Sequence, residues 1–320
     1  MTIAEDLRYR PVRPEELTRC AEIWRDAIND YIVRLGQFEI GNETGPLIRL
    51  YRHVSATDGE RFVVATQRMT GSGEERVVAF ISALVRERLW FLSMLFVDPT
   101  VQAAGVGRAL MARVMPAPDS GMVMATATDS AQPISNALYA SYGIVPRMPL
   151  LNFIGLPERD DVFEALPSGV TPVPFETIAA GPPDGPGHRE LSDAVDGLDR
   201  ELLGVAHPMD HRYLGTESRR GWLYRGPDGA TLGYGYATEA GRVGPIAVRD
   251  GALLNPVLGH LMSAVRPRGA FALWLPGSAD RAVVPVLRAG FRLDQFPVLL
   301  CWDQPFADFS RYLPISPGLL

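Results

Sequence analysis

The residues of this chain whose types and spacing could do chemistry lie in one stretch, Phe96-Val97-Asp98-Pro99-Thr100-Val101-Gln102-Ala103-Ala104-Gly105-Val106-Gly107-Arg108-Ala109-Leu110. An almost continuously apolar run, Leu89–Val97, ends at Asp98-Pro99, and a helical pattern follows over Val101–Met115. The segment therefore reads as strand, turn, helix. The first amides of a helix have no acceptor within it, and together with the helix dipole they make a site for an anion. Gly105 and Gly107 leave phosphate oxygens room to approach the backbone. Arg108 adds a fixed positive charge at the rim, and Gln102 can donate without adding charge. The expected anion cradle is thus Gln102, Ala103, Ala104, Gly105, Val106, Gly107 and Arg108.

This stretch resembles the Gln/Arg-x-x-Gly-x-Gly/Ala signature of the GCN5-related N-acetyltransferase (GNAT) superfamily, which grips the pyrophosphate of acetyl-CoA. A second landmark is Leu138-Tyr139-Ala140-Ser141-Tyr142-Gly143-Ile144, which looks like the family's Leu-Tyr-x-x-x-Gly-Phe on a following helix. The resemblance covers residues from about 8 to 156 in element order. It implies a mixed, strongly twisted sheet with helices on both faces, and acetyl-CoA as co-substrate. It further implies that Tyr139 lies beside the CoA sulfur and protonates the departing thiolate. A tyrosine hydroxyl is suited to this because it stays protonated at neutral pH. By the same resemblance a backbone N–H of the fourth strand, Phe96 or Val97, polarises the thioester carbonyl as an oxyanion-hole donor. The family often has an Asn seven positions before the Tyr; here that place is Gln132.

An incoming amine must lose a proton, and some family members carry a Glu on the fourth strand for this. Leu89–Val97 contains no carboxylate; Ser93 is the residue there able to hold a relaying water. Glu39, Glu43 and His53 are other candidates, from the segment expected to roof the acceptor site. Tyr31, Phe38, Trp90 and Phe91 suggest an aromatic acceptor wall, with Trp90 or Phe91 also suited to the core. The expected reaction is direct attack by an amine of a small molecule or protein in a ternary complex. The alternative is a non-catalytic acetyl-CoA-binding or regulatory module.

The elements that must position these groups can be read along the chain. Tyr9–Val12 reads as a strand and Pro14–Leu35 as an amphipathic helix, with Leu17, Cys20, Ile23, Trp24, Ala27, Ile28 and Tyr31 on one face. A shorter helix over Leu47–Val54, strands at Arg61–Gln67, Arg76–Val85 and Met122–Thr126, a helix at Ile134–Tyr142 and a closing strand at Leu150–Ile154 follow. Pro157–Pro174 is rich in Pro, Gly and charge, and reads as a boundary. The same order of elements then repeats. Val97, Leu110 and Met111 map onto Val248, Leu261 and Met262 with one shift of 151, and Gly143 onto Gly290 with a shift of 147. Duplication of one α/β (mixed-sheet) fold is the reading, with an acetyltransferase domain over 1–157 and a second copy over 168–320. In that copy Gly105 and Gly107 become Pro256 and Leu258, and Tyr139 becomes Val286. Pro lacks the N–H, Leu fills the phosphate's place and Val has no proton to give, so the second copy is expected to be degenerate.

Composition bounds the rest. The chain has 320 residues, a net charge of −6 and 31 basic residues, all of them Arg. Nothing in this marks a nucleic-acid partner. Cys20 and Cys301 lie in opposite halves, which excludes a disulfide framework. The N-terminal residues lack the apolar core of a signal peptide and no apolar run is long enough to span a bilayer, so a cytoplasmic protein without membrane partners is expected. Gly233-Tyr234-Gly235-Tyr236 reads as a strand and not as a dinucleotide loop. His207 and His211 have helical spacing, but Pro208 stands between them and no third ligand is evident, so no metal is expected.

Overall fold

A computed structural model describes residues 7–69, 73–101, 105–294 and 296–320. The chain divides into two compact units, residues 1–127 with 132–145, and residues 128–131 with 146–320.

The first unit contains β1 (Arg8–Pro11), α1 (Leu17–Ile32), α2 (Gly45–Asp58), β2 (Phe62–Arg68), β3 (Glu75–Arg86), β4 (Leu89–Val97), α3 (Val106–Val114), the start of β5 (Val123–Asp129) and α4 (Pro133–Ala140). Its strands run β1-β2-β3-β4-β5, antiparallel up to β4 and parallel between β4 and β5. Helix α1 buries Leu17, Cys20, Ala21, Ile23, Ala27 and Ile32, close to the stripe its periodicity predicts. Tyr51 of α2 packs edge-on against Phe62 and Phe80 at centroid distances of 5.6 and 5.4 Å. A buried ion pair fixes the end of α2 to β3: Arg86 donates to Asp58 at 2.8 Å, and the other carboxylate oxygen accepts from the Val85 amide at 2.9 Å. The helix expected from Val101 starts at Val106 instead. Gly105 before it is left-handed (φ +77), which a continuing helix does not permit.

The second unit contains most of β6 (Val145–Gly155), then β7 (Thr171–Pro174), α5 (Phe175–Ile178), α6 (Pro186–Leu202), α7 (Pro208–Thr216), β8 (Arg220–Arg225), β9 (Thr231–Ala237), β10 (Arg242–Val248), α8 (Leu254–Ala264), β11 (Phe271–Pro276), α9 (Asp280–Arg288), β12 (Arg292–Leu293), β13 (Val298–Trp302) and β14 (Tyr312–Leu313). Its main strand order is β13-β6-β11-β10-β9-β8-β7. Strand β6 corrects the sequence reading. Residues Leu150–Gly155, expected to close the first half, pair antiparallel with Pro276–Phe271 of β11. The compact units accordingly divide at Val145/Pro146, ahead of the Pro-rich stretch. Hydrogen bonding between strands this far apart in sequence leaves no local periodicity to read. The Gly-Tyr-Gly-Tyr segment lies in β9, where a Cβ at Gly235 would come within 2.7 Å of Leu261, so the glycine lets α8 pack close.

The repeat holds in three dimensions. Val97 and Val248 end β4 and β10. Leu110 and Leu261 are fully buried on α3 and α8. Gly143 and Gly290 are both left-handed, at φ +81 and +93.

Candidate active site

The site is built by one irregularity in β4. Its pairing with β3 runs Val97 to Met94 opposite Ala79 to Ser82, then resumes with Leu92 opposite Ala83. Ser93 is the extra residue, a bulge. Pairing with β5 ends at the same place, at Leu92 opposite Thr126, where the Thr126 hydroxyl donates to the Leu92 carbonyl at 2.8 Å. Up to Ser93 the strand is buried on both faces; from Met94 to Val97 it is half-exposed. The strand thus opens a cleft on its β5 side. Antiparallel register decides which amides face that cleft. The Asp98 amide donates to the Val78 carbonyl at 2.8 Å, so alternate residues point toward β3. Phe96 therefore points toward β3, whereas Leu95 and Val97 point to the opposite edge. Of the two donors named from sequence, the register favours Val97.

Beyond β4 the turn is tied down from outside. Asp98 accepts from the Thr100 amide and hydroxyl at 3.1 and 2.7 Å and from Arg19 of α1 at 2.5 Å. Burial alone would raise the Asp98 carboxyl; these donors hold it below its ordinary value. No spacing rule links residue 19 to residue 98, so sequence reading misses this pair. Gly105 caps α3 in the left-handed region, and among the described residues nothing beyond its chain neighbours lies within 4 Å of where its Cβ would stand. Gly107 is different. A Cβ there would lie 3.3 Å from Leu138 and 3.8 Å from Leu95. Its absence lets β4, the start of α3 and the tyrosine-bearing α4 meet at one point. The Arg108 guanidinium lies over the Tyr142 ring, 5.8 Å from its centroid. Gln102, Ala103 and Ala104 lie outside the described residues.

The remaining candidates divide. Tyr139 is buried on α4, one residue from the Leu138 that abuts Gly107. Gln132, in the position often held by Asn in the family, caps that helix, its side-chain oxygen accepting from the Ile134 amide. Trp90 is fully buried and its indole donates to the Val114 carbonyl at 2.9 Å. Phe91 is also buried. Both are core, which corrects the placing of Trp90 in the acceptor wall: the strand is enclosed on both faces before the bulge. Tyr31 is half-buried on α1, and Phe38 is 93% exposed in the segment between α1 and α2. That segment is pinned to α1 by Asn29, which bonds both the amide and the carbonyl of Ile40, at 2.8 and 3.1 Å. Glu39 and Glu43 are exposed there and His53 is half-buried on α2, so burial singles out no carboxylate. Phe96 stacks on Phe80 and meets Trp24 edge-on, at 5.8 and 6.5 Å. Burial raises both thiols, Cys301 to about 12, in keeping with inert core cysteines.

The second unit repeats the cleft and fills it. Strand β10 has its own register shift between Val243 and Ile246, and its pairing with β11 ends at Val243 opposite Leu273. These are Leu92 and Thr126 shifted by 151 and 147. Past that point β14 pairs antiparallel with Ile246 and Ala247, and the Val248 amide donates to the Arg311 carbonyl at 3.1 Å. Val248 is the counterpart of Val97. The Val248 amide is thus bonded within its own unit. Pro256 and Leu258, the counterparts of Gly105 and Gly107, are buried within α8, which starts at Leu254.

A splayed β4–β5 pair beside a glycine-capped helix defines a GNAT fold, and the second unit repeats its strand splay without the glycine cap. Residues 26–144 match the model of the acetyltransferase (GNAT) family, and the chain as a whole has the fold of tandem GNAT proteins. Among solved structures it is similar to a Pyrococcus horikoshii protein described as an acetyltransferase (13% identity, 99% of this chain and 96% of that one, TM-score 0.71). It is also similar to a GCN5-related N-acetyltransferase from Sphaerobacter thermophilus (17%, 96% and 99%, 0.57). A third is a tandem GNAT protein from the clavulanic acid biosynthesis pathway (16%, 93% and 99%, 0.51). At these identities the likeness is one of fold. No curated protein matches the chain.

Proposed function

We propose that the first unit transfers an acetyl group from acetyl-CoA to an amine of a small molecule or protein, by direct attack in a ternary complex. The observation that carries this reading is the bulge at Ser93, which parts β4 from β5 directly ahead of the Gly105-capped start of α3. The fit to acetyl-CoA rests on this chain's own geometry: open space at Gly105 for a phosphate, and amides at the start of α3 to hold it. Leu95 and Val97 offer the cleft-edge amides for the thioester oxygen. As the amine attacks the carbonyl carbon, its electrons form the C–N bond and the C–S bond breaks. Tyr139 supplies the proton to the departing thiolate. Ser93 holds a water that takes the amine's proton toward solvent. Arg108, held over Tyr142, supplies positive charge at the rim of the phosphate site. The protein would work in the cytoplasm; no helix among its described residues is long and apolar enough to cross a membrane.

The test is thiol release from acetyl-CoA with a panel of amines, including aminoglycosides and peptides. Tyr139→Phe should lower kcat at least tenfold while acetyl-CoA affinity changes less than threefold. Unchanged turnover removes Tyr139 from the mechanism. Tight acetyl-CoA binding with no turnover on any acceptor points to the binding module instead.

A further inference from the structure

Three ligand-type atoms converge inside the second unit. Asp199 lies on α6, His207 caps the N-terminus of α7 and His211 lies one turn later. The Asp199 Oδ2 atom is 2.7 Å from His211 Nε2 and 3.3 Å from His207 Nε2. All three atoms lie within 4.8 Å of one another. Asp199 and His207 are buried, at 0% and 1% exposure, and His211 is nearly so. Pro208 does not separate the two histidines, as its place between them suggested. It occupies the first position of α7, where its missing N–H has no intrahelical acceptor to lose and its fixed φ suits the helix. His207 and His211 therefore face the same side, their ring centroids 4.4 Å apart.

Outer atoms of two of the three groups, His211 and Asp199, are hydrogen-bonded, and an acidic side chain stands near the third. His211 Nδ1 is 2.8 Å from the Tyr236 hydroxyl, and His207 Nδ1 is 3.5 Å from Asp210 Oδ2. The free oxygen of Asp199, Oδ1, accepts from the Tyr234 hydroxyl at 2.6 Å. Outer partners of this kind, which fix tautomer and ring orientation, accompany metal-bound imidazole and carboxylate. Tyr312 of β14 brings a fourth ligand-type atom, its hydroxyl oxygen, to 3.2 Å from His207 Nε2.

We propose that Asp199 Oδ2, His207 Nε2 and His211 Nε2 bind one divalent transition-metal ion, zinc foremost, with the Tyr312 hydroxyl or a water as fourth ligand. Two imidazoles and a carboxylate suit zinc, and an enclosed site suits a structural role. On binding, each Nε2 and the carboxylate offers a lone pair, and the protons that bridged them leave to solvent. The ion would join α6 to α7 and, through Tyr312, to the β14 that fills the second cleft. It would hold the second copy closed where the first stays open.

The test uses the full-length, tag-free protein. Elemental analysis after growth with zinc should find one ion per chain. After chelation, adding zinc at a hundredfold excess over Kd should raise Tm by roughly 5–10 °C. Cobalt(II) should give the visible bands of a tetrahedral site without thiolate charge transfer. His211→Ala, His207→Ala and Asp199→Asn should each abolish the cobalt bands. Should the variants not fold, the wild-type stoichiometry, Tm and cobalt spectrum decide alone. No co-purifying metal together with a Tm indifferent to zinc and chelator would overturn the proposal, leaving a hydrogen-bonded polar core. One ion retained by all three variants would also overturn it.

Discussion

Gly105 separates a backbone requirement from a ligand requirement, because among the described residues, its chain neighbours aside, no atom stands within 4 Å of where its side chain would begin. Replacing it with Ala creates no clash with the described residues around it. The cost comes from φ alone, which stays at +77 only if an L-residue occupies the left-handed region. That costs about 1–2 kcal/mol. Expressed in stability, it lowers Tm by about 2–8 °C, taking about 2–4 °C per kcal/mol. If the turn escapes the strain by leaving its present conformation, acetyl-CoA affinity falls by at most the same free energy, about 5- to 30-fold. Asn tolerates the left-handed region better, so Gly105→Asn should recover much of the Tm. It should not recover affinity if the proposed phosphate site is right, because its side chain enters the space that the phosphate would take. Thermal melts and calorimetric titration with acetyl-CoA on wild type, Gly105→Ala and Gly105→Asn read the two effects separately. If Asn restores affinity along with Tm, the phosphate does not lie against residue 105. If affinity never changes in either variant, the cradle is elsewhere and the reasoning fails.

Other outcomes follow from the same geometry. Trp90→Phe should cost about 1–3 kcal/mol by leaving the Val114 carbonyl without its indole donor, with KM for the acceptor unchanged; a KM shift at constant Tm would return Trp90 to the acceptor wall. Asp58→Ala should cost about 3–5 kcal/mol in denaturant unfolding, since it leaves the buried Arg86 charge uncompensated; a loss under about 1 kcal/mol would mean that water reaches the pair. Calorimetry should count one acetyl-CoA per chain, because β14 occupies the second cleft; two sites would show that β14 yields to ligand.

The sequence by itself determined much of this protein. Helix and strand periodicity located the elements of the first unit, since buried faces repeat locally. The shift of 151 exposed the duplication because equivalent positions in the two copies meet equivalent packing, as Leu110 and Leu261 show. The glycine pair marked the turn, but it did not distinguish their reasons: Gly105 for its dihedral, Gly107 for the approach of Leu138 and Leu95. What only the tertiary structure decided depends on contacts between residues far apart in the chain. The bulge at Ser93 is a property of two strands' register, not of one strand's composition. Trp90 is core and Val97 half-exposed because one precedes that bulge and the other follows it. Strand β6 bonds to β11 across more than a hundred residues, and β14 closes the second cleft from the end of the chain. Asp199 meets His207 and His211 only because α6 packs beside α7. Local pattern fixes which face a residue presents; the fold decides what that face meets.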